Sequence, residues 1–128
     1  MNPKQTMKNY VNALNKKSAE ECINLFTKDG MVISPIYGEK KAVVFYKQLF
    51  DDSSDAQINL LNVFLSDNKL AGACHFVFNW TLRNGNMVAL NLVDVFEFSK
   101  NGKIKKLQII YDAQKAREIV NNMKNKIN

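Results

Sequence analysis

Apolar residues recur along this chain with two different periods, and the change of period divides it. In the first third they fall three and four apart. Met7, Tyr10, Val11 and Leu14 make one helical stripe, introduced by Asn2 and Pro3 as an N-cap and first-turn pair. Tyr10 therefore faces inward. A second helix is predicted from Ser18, with Glu21 completing a capping box, and its stripe runs Ala19, Cys22, Ile23 and Phe26 until Gly30 stops it. MVIS, which begins at Met31, reads as a brief strand. Pro35 and Gly38 then break the chain, and a third helix is predicted from about Glu39 with Ala42, Phe45, Tyr46, Leu49 and Phe50 on one face.

After DDSSD the period falls to two. Four strand-like runs follow, INLLNVFL, LAGACHFVFNWTL, MVALNLVDVFEF and KIKKLQIIYD, joined by SDNK, by a loop holding Asn84-Gly85 and by one holding Asn101-Gly102. Connections this short imply successive antiparallel hairpins. A closing stripe of Ala116, Ile119, Val120 and Met123 predicts a C-terminal helix. Helices first and a long meander afterwards define an α+β domain, a curved antiparallel sheet covered on one face by the N-terminal helices, whose concave face is the natural place for a pocket. One domain over residues 1–128 is expected.

One position breaks the pattern. In VALNLVDVFEF, residues 88–98, a single parity carries Val88, Leu90, Leu92, Phe96 and Phe98, and Asp94 interrupts that row. A lone carboxylate among apolar neighbours is costly, so Asp94 should be paired, hydrogen-bonded or neutral. Satisfied by a structural hydrogen bond, for instance from Tyr10, it would need no ligand; aimed into a pocket, it would serve one.

Composition adds limits. With 46% hydrophobic and 23% charged residues the chain reads as an ordinary globular protein, without an apolar run for a membrane span or the h-region of a signal peptide, and the cytoplasm is its expected location. Cys22 and Cys74 sit singly in apolar rows, outside any metal-ligand or redox spacing, so neither a metal nor a cofactor is expected. The net charge of +6 is spread along the chain and densest in AQKAREIVNNMKNKIN, with no interleaved aromatics, which fits a solvated face better than a nucleic-acid surface.

The order of elements and several local stretches together resemble the nuclear transport factor 2-like superfamily, which shares the cystatin-like fold, in its ketosteroid isomerase and SnoaL-like branch. YVNALNKKSAEECINLFTKDGMVISP is similar to that family's opening helices and first strand, and LNLVDVFEF followed by NGKIKKLQIIY to its last two long strands. The resemblance implies a site. Ketosteroid isomerases hold a developing enolate oxygen between a tyrosine and a protonated aspartic acid, and Tyr10 and Asp94 match those two positions. The third member, an aspartate base preceding a proline, is matched by Ser34, and a serine hydroxyl cannot take a proton from carbon without a partner base. His75, Glu39 and Asp112 are the conceivable substitutes, although parity sets His75 opposite Phe76, Phe78 and Trp80.

The expected ligand is a small apolar molecule, steroid-like or polyketide-like, bearing a carbonyl or phenol oxygen. Tyr10, Asp94 and Ser34 would be its chemical contacts and Leu14, Phe26, Met31, Phe76, Phe78, Trp80, Leu92, Phe96 and Tyr111 its apolar ones, with Tyr111 at the mouth. Whether the protein is an isomerase-type enzyme, a non-catalytic binder or an interaction domain stays open at this level. The face shared by His75 with Ala73, Val77, Asn79 and Thr81 suits a homodimer.

Overall fold

The computed structural model describes residues 2–127, with side chains through residue 125. Helix α1 (Pro3–Asn15) starts where the sequence places it: the Asn2 side chain accepts from the Gln5 N–H at 2.8 Å, and Met7, Tyr10, Val11 and Leu14 are all buried. Helix α2 (Ala19–Asn24) has the expected cap, Ser18 Oγ accepting from the Glu21 N–H at 3.1 Å, but it is shorter than its apolar spacing suggests.

Phe26 lies outside α2 and opens strand β1 (Phe26–Ser34), so the strand is much longer than MVIS. Gly30, expected as a helix stop, sits inside that strand, where the pairing with its neighbour slips between Phe26 and Met31. A Cβ at Gly30 would lie 2.8 Å from Phe26 Cδ2, so glycine is what lets the phenyl ring fold back over the bulge. The polar TKDG run thus belongs to an irregular strand, which has no clean period to read.

A turn through Pro35 leads into β2 (Gly38–Lys41), antiparallel to β1, and only then does helix α3 (Ala42–Asp51) begin. The segment from Glu39 is therefore an edge strand and not the first turn of a helix. The long strands β3 (Ser53–Leu65), β4 (Ala71–Leu82), β5 (Met87–Phe98) and β6 (Ile104–Ile110) form the antiparallel meander, and the six-stranded order is β2-β1-β6-β5-β4-β3. One pairing departs from the all-antiparallel expectation: β1 runs parallel to β6. Further register shifts in β3 and between β5 and β6 bend the sheet.

Along β4 and β5 alternate residues are buried, including the whole row from Val88 to Phe98 with Asp94 in it. Helix α1 packs on β3 and β4, and α3 on β1. At Gly72 of β4 an added Cβ would come within 2.7 Å of Met7 Cε and 2.8 Å of the Phe64 carbonyl oxygen, so α1 approaches the sheet as closely as it does because that residue has no side chain. Helix α4 (Gln114–Ile127) buries Ala116, Val120 and Met123, with Ile119 half-buried. Arg117 Nη2 fastens it by donating to the Pro35 carbonyl at 2.9 Å, and Lys124 Nζ lies 3.0 Å from Asp52.

Candidate functional site

A cavity of about 40 Å³ remains between the inner face of the sheet and the helices. Period two on β4 and β5 supplies its floor: Phe76, Phe78 and Trp80 on one strand, Leu90, Leu92 and Asp94 on the next. Phe78 and Trp80 stack with centroids 6.0 Å apart, and the indole N–H donates to Ser53 Oγ at 2.7 Å, so this wall presents carbon. Tyr10 and Leu14 reach in from α1, Ser34 from the end of β1, and Tyr111 from beyond β6.

Asp94 is 1% exposed, and its Oδ1 has no hydrogen-bond partner among the described residues. Burial pushes its carboxyl well above the usual carboxylate range, so the neutral acid is the favoured form and carries an O–H that can donate. Leaving a buried polar atom unpaired costs about 1 to 3 kcal/mol. Tyr10 does not relieve it. Its hydroxyl is instead paired with Tyr46 of α3, whose Oη donates at 2.7 Å, which leaves the Tyr10 proton available elsewhere. Burial raises both phenols well above their ordinary value, with the neighbouring tyrosine and Asp94 adding to the rise at Tyr10, so both stay neutral donors.

Ser34 lines the cavity, and its Oγ accepts from the Tyr37 backbone N–H at 2.9 Å, closing the turn that follows. Among the described residues no carboxylate accepts a hydrogen bond from it. The three conceivable substitute bases lie elsewhere. The ring of His75 is bonded on the outer face of the sheet, Nδ1 to Asn62 at 3.2 Å and Nε2 to Asn91 at 2.7 Å, while Glu39 and Asp112 are exposed.

Three expected apolar contacts do not reach the cavity. Phe26 and Phe96 stand behind Tyr10 and hold its ring edge-on at 6.5 and 5.4 Å, so they position a cavity residue and do not line the space. Met31 has the opposite parity to Val32 and Ser34 on β1 and is half-buried away from the space. Phe45 and Leu49 of α3, Leu90 and Ile109 also form the wall; of these, Phe45, Leu49 and Leu90 stand in the apolar rows of the sequence without any local mark that they face a cavity. Tyr37 had no such signal, because a turn has no period.

Tyr37 brings an unforeseen charge cluster with it. Its hydroxyl donates to Asp52 Oδ2 at 2.7 Å, and Asp52, only 1% exposed, is flanked by Arg83 at 3.4 Å and Lys124 at 3.0 Å. Burial first, and then Asp52, raises the Tyr37 phenol above its ordinary value. Tyr111, half-buried in the cavity lining, is pushed up to about 12, chiefly by burial. The two cysteines are inert by the same physics: burial pushes each thiol up to about 12. Among the described residues no three His, Cys, Asp or Glu side chains gather as a metal site, and no helix is long and apolar enough to cross a membrane.

A bent six-stranded sheet with helices packed against it is the fold of the nuclear transport factor 2-like superfamily. Residues 7–107 match the SnoaL-like domain model, and the chain belongs to that family. A comparison with curated proteins finds no match. Among solved structures, the epoxide hydrolase/cyclase-like enzyme SalBIII, with a role in pyran ring formation in polyether salinomycin, has a TM-score of 0.76 at 16% identity, over 86% of this chain and 90% of that one. AclR of Streptomyces galilaeus, provisionally described as a hydroxylase, gives 0.74 at 15% identity over 94% and 96%. A nuclear transport factor 2-like protein of unknown function from Exiguobacterium sp. 255-15 gives 0.71 at 15% identity over 84% and 98%.

Proposed function

We propose that the protein binds a compact apolar molecule through a carbonyl or phenol oxygen, which accepts hydrogen bonds from protonated Asp94 and from Tyr10. The observation that carries this reading is the unpartnered Oδ1 of Asp94 in an otherwise apolar cavity. A donor pair in a low-dielectric cleft favours an oxygen with partial negative charge, and the likeness in fold to SalBIII is compatible with an oxygenated carbon skeleton.

Size narrows the ligand. A cavity of about 40 Å³ is the room of one or two waters. A single six-membered ring needs the lining to give way, and a four-ring steroid would have to displace the wall itself. Ser34 at the position of the family's base favours binding, or chemistry that takes no proton from carbon.

Titrating phenol and cyclohexanone into wild type, Tyr10→Phe and Asp94→Leu, followed by NMR, tests the reading. Each variant should bind about tenfold more weakly, the worth of one hydrogen bond in such a site. Affinities that stay the same in both variants would refute it.

We also propose that two copies pair through the outer face of the sheet. Phe64, Ala73 and Val95 lie abreast there on β3, β4 and β5, and Phe64 is 56% exposed. Light scattering should give twice the monomer mass, and a monomer at high micromolar concentration would contradict the pairing.

A further inference from the structure

Tyr37 stands at the cavity wall with its proton already given away. A phenol has one proton to donate and lone pairs that accept. Here the proton goes to Asp52 Oδ2 at 2.7 Å, and a carboxylate can only accept. Arg83 Nη1 at 3.4 Å and Lys124 Nζ at 3.0 Å stand beside that carboxylate, so the buried charge is balanced where it is and holds the hydroxyl in one sense. The ring cannot turn away easily either. Its edge meets Phe45 at 5.7 Å and 86°, and its own backbone N–H is fixed to Ser34 Oγ at 2.9 Å.

Three other polar groups of the cavity face the opposite way in hydrogen-bonding sense. Asp94 in its neutral form, Tyr10 and Ser34 each retain a proton to give, since Tyr10 accepts from Tyr46 and Ser34 from a backbone N–H. The cavity therefore offers donors and, at Tyr37, an acceptor, set among the carbon of Phe78, Trp80 and Leu92.

We propose that Tyr37 is a specificity-determining acceptor, and that the ligand class is a compact hydroxy-ketone whose carbonyl takes the Asp94 proton while its hydroxyl donates to Tyr37. This rests on the binding reading above and extends it from one anchor to two. A ligand with the carbonyl alone leaves the Tyr37 oxygen unused, and a second carbonyl or an ether in place of the hydroxyl sets acceptor against acceptor.

The test compares cyclohexanone with the cis and trans forms of 3- and 4-hydroxycyclohexanone on wild type, Tyr37→Phe and Asp94→Leu, by NMR titration. In wild type one hydroxy-ketone isomer binds more tightly than cyclohexanone. In Tyr37→Phe the order inverts, because the same hydroxyl is then buried without a partner, and the affinity ratio moves by about tenfold. A role for Tyr37 confined to holding the turn would weaken all ligands alike and leave the ratio unmoved, which would overturn the proposal. So would a wild type that prefers cyclohexanone to every hydroxy-ketone isomer.

Should Tyr37→Phe not fold, the methyl ether of the best isomer on wild type decides: it should bind about tenfold more weakly, and equal affinity overturns the proposal. Cyclohexanone binding that depends on Asp94 while the hydroxyl brings no advantage defeats Tyr37 alone. Cyclohexanone binding indifferent to Asp94→Leu defeats the carbonyl reading and this inference with it.

Discussion

Asp94→Asn should be more stable than wild type at neutral pH and no more stable at pH 3. Burial raises the Asp94 carboxyl above its ordinary value of 3.8 in the folded protein. Below that ordinary value the acid is protonated whether the chain is folded or not, and it imposes no penalty. As pH rises above it, the unfolded chain releases the proton while the folded chain keeps it, so the folded state binds more protons and stability falls with pH. The fall continues until the folded carboxyl itself ionises. Asparagine, neutral at every pH, imitates the protonated acid and escapes this loss. The gap should open above the ordinary carboxylate range and appear as a higher melting temperature for Asp94→Asn at neutral pH. Melting curves from pH 3 to 8 would show it opening steadily. A variant less stable than wild type across the whole range would mean that Asp94 is satisfied and ionised in the fold.

The second large effect concerns the residue before Pro35. Wild type should isomerise a small β,γ-enone such as 3-cyclohexenone at close to the background rate, because polarising the carbonyl with Asp94 leaves the carbon-bound proton without an acceptor. Ser34→Asp supplies one at the cavity wall, where Ser34 already stands, and an aspartate there can still accept the Tyr37 N–H that Ser34 Oγ now takes. General-base assistance is worth about two to four orders of magnitude. The gained rate should rise with pH as the new carboxylate ionises and vanish when Asp94→Leu is added. A folded, ligand-binding Ser34→Asp that stays at background would show that Ser34 does not face the reacting carbon. Rapid turnover by wild type would show that a base exists elsewhere.

Where the chain keeps one period, it is legible. The inner rows of β4 and β5 follow from alternation alone, and Asp94 was conspicuous because it broke a run of five apolar residues on its parity. The caps at Asn2 and Ser18 are local chemistry and read equally well. Legibility fails where the period slips. The bulge at Gly30 makes a strand look like a helix end, and Met31 and Ser34, three residues apart, cannot both face inward on a strand.

It fails again where partners are distant. Asp52 reads as part of a polar connector in DDSSD, yet it is buried because Arg83, Lys124 and Tyr37 converge on it from other parts of the chain. Nothing local marks that convergence, or the pairing of Tyr46 with Tyr10.

The protonation state of Asp94 bears most directly on the central claim, that a neutral acid in an apolar cavity donates to a ligand oxygen. Carbon-13 labelling of aspartate, with the Asp94 carboxyl resonance assigned by its loss in Asp94→Asn, allows its titration to be followed with and without phenol. The account predicts a carboxyl that stays protonated well above the ordinary 3.8 and whose resonance shifts when phenol is added. A carboxyl that ionises near 3.8 and ignores the ligand would contradict it.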